Sequence, residues 1–151
     1  MGDILEFENR DQLYASLIDD LGLVKVEEKY DSKYFGNFFI TLSSKEFLLR
    51  YINDRSILDI EISGNSEPPY WYPLSFIKNF IYSRDNIKGD DTGLDNATRI
   101  KELNDFLRKD FDLISDLFNV DNYKDTRQKL DELLKEQFDR WFKQKYPNRN
   151  H

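Results

Sequence analysis

Asp59 and Glu61 stand two residues apart in the run ILDIEIS, where Leu58, Ile60 and Ile62 alternate with them. On a strand this period places both carboxyl groups on one face, about 6 to 7 Å apart along the chain. Two carboxylates at such a separation are the equipment of acid/base hydrolysis, but no His, Lys or metal motif stands beside them to support it. The same alternation describes a solvated sheet face, on which Asp59 and Glu61 would receive Lys or Arg side chains from a partner protein. Just upstream, Asn53-Asp54-Arg55-Ser56 holds Asp54 against Arg55, a combination able to grip a carboxylate or phosphate. Turn chemistry accounts for the same residues, because Asn, Asp and Ser each hydrogen-bond their own backbone.

Asp85, Asp90 and Asp91 lie in a Gly-containing stretch, yet the acid spacing and distal Glu of a calcium loop are missing. The chain has no Cys, and its one His is the last residue, His151. Disulfides, thiolate chemistry, zinc sites and nearly every imidazole mechanism are thereby excluded. The expectation is a protein with no enzymatic activity, no cofactor and no metal. A third cluster, Tyr70, Trp71 and Tyr72, follows Pro68-Pro69 and precedes Pro73. Such rings anchor interfaces when exposed and plug a core end when buried, and at least one of the three is expected at the surface.

Elements that position these residues follow from periodicity. Leu13, Leu17 and Leu21, with Ile18 alongside, predict a first helix that begins at Asn9 or Asp11 and ends at Gly22. Strands follow at LVKVEEKY, with Val24 and Val26 facing inward, at NFFITLS, at EFLLRYIND and at SILDIEIS. Short turns between four strands imply an antiparallel meander. GNSEPP must be a loop, because Pro68 and Pro69 sustain neither helix nor ladder. From Pro73 to Tyr82, Leu74, Ile77 and Ile81 make one stripe with Phe76 and Phe80 beside it, so a helix should lie on the sheet. Residues 85–94 read as a surface linker. Beyond it come two long helices, one carrying Ile100, Leu103, Leu107, Phe111, Ile114 and Leu117. The other carries Leu130, Leu133, Leu134, Phe138, Trp141 and Phe142, and Asn119 to Asn122 folds the two into an αα-hairpin. The predicted fold class is α+β in a single domain over residues 1–151. It has an N-terminal helix, a four-stranded antiparallel meander, a covering helix and a C-terminal αα-hairpin, with the sheet in residues 1–84 and the helical hairpin in 95–151.

The formal charge of −7 is unevenly placed, since residues 1–94 hold 17 acids against 10 bases while residues 95–151 hold 12 of each. An acidic sheet half repels nucleic acid and attracts a basic partner. Twelve Phe, nine Tyr and two Trp predict an aromatic core rather than disorder. No apolar run is long enough to span a bilayer, and the start MGDILEFENRDQL is acidic where a signal peptide would be basic. Glu6 stands where a myristoylation motif wants Ser or Thr. The expected location is the cytoplasm, and the abundance of Asn, Ile, Lys, Asp, Phe and Tyr looks like the usage of an AT-rich bacterial genome.

An early helix, a meander ending in NDRSILDIEIS, a helix opening in WYPLSFIKNFI and an acidic balance resemble the immunity proteins of bacterial polymorphic toxin and contact-dependent inhibition systems. The resemblance covers residues 37–82 in style. It implies a cytoplasmic inhibitor that binds a cognate toxin domain, often a basic nuclease, and blocks its active site. Asp54, Arg55, Asp59, Glu61, Tyr70, Trp71 and Tyr72 are the partner-binding candidates. The alternative is a structural or regulatory interaction module, open to oligomerisation, that makes contact through its C-terminal helices. An enzyme relying on carboxylates alone is the third and weakest reading.

Overall fold

The computed structural model describes residues 12–31, 37–55, 57–66, 68–82 and 95–147. Helix α1 (Ala15–Leu21) stops at Gly22, whose φ of 69° is left-handed and whose N–H donates to Ile18 O. Glycine enters that region without Cβ strain, so it ends the helix as expected. Five strands follow, β1 (Val24–Asp31), β2 (Asn37–Ser43), β3 (Phe47–Asp54), β4 (Ile57–Gly64) and β5 (Tyr72–Pro73), all antiparallel in the order β1-β2-β3-β4-β5. The α+β class and the meander are as the sequence implies. The fifth strand is an addition, made when Tyr72 pairs with Ile62 and Pro73 with Glu61.

Register sorts the side chains into two faces. Ile40, Tyr51 and Ile60 form one row of the inner face, and Leu42, Leu49, Ile62 and Tyr72 form the next. All seven are buried, each aliphatic one contributing about 1.5–3 kcal/mol. β1 departs from the expectation: Val24 and Val26 are 61% and 55% exposed. Val24 pairs with Ser43, which alternates with the inner Leu42, and Val26 falls in the bulge between Lys25 and Glu27, so neither valine takes an inner-face position.

Helix α2 (Leu74–Ile81) turns back over the inner face, burying Leu74, Phe76 and Ile77. The first of the two predicted C-terminal helices is broken. Helix α3 (Asn96–Lys109) ends at Asp110, and α4 (Phe111–Phe118) restarts at once. Tyr82 at the end of α2 donates to Asp110 Oδ2 at 2.5 Å and holds the break in place. The bend delivers Phe111 and Phe118 to Phe47, with ring centroids 5.7 and 6.4 Å apart. Helix α5 (Tyr123–Lys145) follows the expected short turn. Three helices therefore replace the simple hairpin. One buried cluster joins Tyr14 of the amino-terminal part to Leu130 of α5. The predicted linker, with Asp85, Asp90 and Asp91, and the start of the first predicted helix lie outside the described residues, as does His151.

Candidate functional site

Helix contacts reach the sheet from one side. Tyr51 donates its hydroxyl to Asn104 Oδ1 at 2.6 Å, Tyr14 packs on Tyr51, and Phe47 meets Phe111 and Phe118. Burial, partly opposed by the Arg108 charge, raises the Tyr51 phenol well above the ordinary tyrosine range. On the other face Thr41, Arg50, Glu61 and Pro73 form one row across β2 to β5, and Phe39, Ile52 and Asp59 form the next. Among the described residues, the contacts of Arg50 on this outer face go to side chains of the sheet and of the segment leading into β5.

Arg50 is the centre of that face. Its Nε and Nη2 donate to Glu61 Oε1 at 2.9 and 2.5 Å. The guanidinium carbon lies 4.3 Å from the centroid of the Trp71 ring and 5.7 Å from that of Phe39. A planar guanidinium stacks on aromatic faces while its edge serves a carboxylate, so one residue satisfies both partners. The result is a neutralised cation between two rings, with Leu48 and Ile52 half-buried beside it.

The sequence-predicted residues divide around this centre. Glu61 belongs to it. Asp59 shares the face, but its Oδ1 accepts from the Ile60 N–H at 2.9 Å. Glu61 thus serves a cation, while Asp59 accepts from a neighbouring backbone amide. Asp54 and Arg55 sit at the β3–β4 tip, 3.5 Å apart and largely exposed. Arg55 has φ 53°, and its N–H donates to Asn37 Oδ1 at 2.8 Å, so the segment works as a turn clamped to β2.

The three consecutive rings go three ways. Trp71 turns outward onto Arg50. Tyr70 is 41% exposed, and Arg127 of α5 lies 4.2 Å from its ring centroid. Tyr72 is corrected from a surface candidate to a core residue, because pairing with Ile62 fixes its ring on the inner face. Its hydroxyl donates to Asp131 Oδ1 at 2.8 Å, and burial first, then that carboxylate, raise its pKa. Arg50 and Phe39 are the side chains of this patch that sequence reasoning missed. The signal was present: a two-residue turn pairing Asp54 with Ile57 places Arg50 opposite Glu61.

At the far end of the sheet an open groove of about 740 Å³ is lined by Lys45, Glu46, Asn65, Tyr123, Arg127 and Asp131, among others. Its wall is tight, since a Cβ on Gly64 would come 2.6 Å from the Tyr123 ring. Three bases, Lys45, Lys124 and Arg127, share its lining with two acids, Glu46 and Asp131, so the charges largely offset one another. No group of three His, Cys, Asp or Glu among the described residues is placed to hold a metal ion. No described helix is long and apolar enough to cross a membrane. No protein-family model, curated protein or solved structure matches the chain.

Proposed function

We propose that this chain is a non-catalytic protein-binding domain acting as an immunity protein, which holds a basic toxin domain in the bacterial cytoplasm and occludes its active site. The observation that carries the reading is the outer sheet face, where Trp71 and Phe39 flank an Arg50 neutralised by Glu61. Aromatic and Arg side chains fixed in a half-buried patch are the residue types that dominate binding energy at interfaces. Exposed Asp54 at the rim and the acidic excess of residues 1–94 steer a cationic partner toward the same half of the molecule.

The test is co-expression with the product of the adjacent gene, followed by measured association and dissociation rates. Stable capture that is weakened by Trp71→Ala supports the reading. A partner held with full affinity after Trp71→Ala, and at an unchanged rate after Asp59→Lys with Glu61→Lys, would move the contact away from the sheet.

A further inference from the structure

Helix α5 is buried at its start and more exposed beyond it. Thr126 and Leu130 are buried and Leu133 packs on the core, but Leu134, Phe138 and Trp141 are 37%, 56% and 42% exposed. At 100° per residue these three lie within about 60° of Phe138 on the helix surface. Their rings contact their own helix, with Phe138 5.8 Å from Trp141 and 6.1 Å from Phe142. A contiguous apolar stripe of this kind marks a contact surface.

We propose that the stripe is a homodimer interface, in which α5 packs antiparallel against α5 of a second copy with the two-fold axis beside Phe138. This contact is separate from the outer sheet face and goes beyond the toxin-binding reading. A two-fold interface must be complementary to itself, and α5 meets that condition. Antiparallel pairing sets residues equally far before and after Phe138 at the same level. Asp131 and Lys145 each stand seven residues from it, so both ends of the contact bring an acid against a base. Leu134 and Trp141 lie on one side of the stripe and meet each other's counterparts across the axis. On the other side the methylenes of Lys135 lie along Phe142 of the second copy. Tyr72 donates to Asp131 Oδ1, so Oδ2 is the oxygen that would serve the incoming ammonium.

Charge also selects the direction. Parallel pairing would set Asp131 against Asp131 and Lys145 against Lys145, whereas antiparallel pairing converts both repulsions into attractions. From Leu134 to Tyr146 there are four bases, Lys135, Arg140, Lys143 and Lys145, against Glu136 and Asp139. Two copies of a chain with charge −7 repel least where that excess is reversed.

The experiment uses the full chain, which contains no Cys. Sedimentation should show a concentration-dependent monomer to dimer transition. Phe138→Cys puts the only thiol at the axis and should give a disulfide-linked dimer under mild oxidation. Lys129→Cys, on the opposite side of α5, should not. Phe138→Glu should weaken association by about a hundredfold or more while leaving the circular dichroism spectrum unchanged, because the replaced ring is exposed. Asp131→Lys and Lys145→Asp should each weaken it several-fold, and their combination should restore it. A protein that stays monomeric across the concentration range, or a dimer that Phe138→Glu leaves intact, overturns the proposal.

Discussion

The outer sheet face and the distal half of α5 both offer aromatic rings to solvent, but their neighbours hold them by different means. Trp71 and Phe39 belong to separate segments, and Arg50 with Glu61 fixes their relation through cross-strand register. Phe138, Trp141 and Phe142 belong to one helix and lean on each other. The sheet patch is therefore ordered before any partner arrives, which spares a binding event the entropy of fixing those side chains. The rings of the helix stripe stack within one helix, with Lys145 over Trp141, and a partner on that side would add a second wall.

Truncation within α5 should expose this contrast most strongly. Leu130→Ala in the anchored part should cost about 2–5 kcal/mol in urea unfolding. Leu134→Ala, one turn further on, should cost under about 1 kcal/mol in the monomer. Equal losses at both positions would mean that the stripe is as well supported as the core. At the sheet, Trp71→Ala should reduce partner affinity by about 2 kcal/mol or more if its ring is central, measured by calorimetry, while folding stability changes less. Asp59→Lys combined with Glu61→Lys should have a smaller effect. It removes the partner of Arg50, a half-exposed pair whose loss costs on the order of 1 kcal/mol, and slows capture of a basic partner at low salt. Added salt should erase that rate difference.

The smallest effect belongs to Asp95, which lies in neither region and serves as a control. Its side chain caps α3 by accepting from the Thr98 N–H at 2.7 Å, and that bond holds its carboxyl below the usual range. A lowered folded pKa gives stabilisation above the unfolded value that disappears as pH falls through the folded one. Wild type should thus exceed Asp95→Ala in melting temperature at neutral pH, and the gap should close in acid.

Sheet architecture was legible because Ile40, Leu42, Leu58, Ile60 and Ile62 keep strict alternation, and burial on one face leaves a strand little freedom of register. Val24 and Val26 alternate equally well yet face solvent, since Val24 pairs with Ser43 on the outer side of β2 and Val26 sits in the bulge itself. The break at Asp110 was hidden for a related reason. Ile100, Leu103, Leu107, Phe111 and Ile114 continue one helical period across it, whereas the stop lies in the Asp110 backbone and its hydrogen bond from distant Tyr82. Tyr72 could not be separated from Tyr70 and Trp71 by residue type, because its inward direction is set by Ile62 on a different strand. Glu61 was found and Arg50 was not, although the turn between their strands determines both.

The bulge in β1 has a consequence for how this molecule behaves in a crowded solution. β1 is the outermost strand, and Lys25, Glu27, Glu28 and Lys29 occupy it around the two exposed valines. Among the described strands, this irregular, charged rim offers an incoming strand a mismatched ladder and charges to bury, which disfavours edge-to-edge growth. Charge and irregularity at that border therefore offset the hazard of two valines left in water.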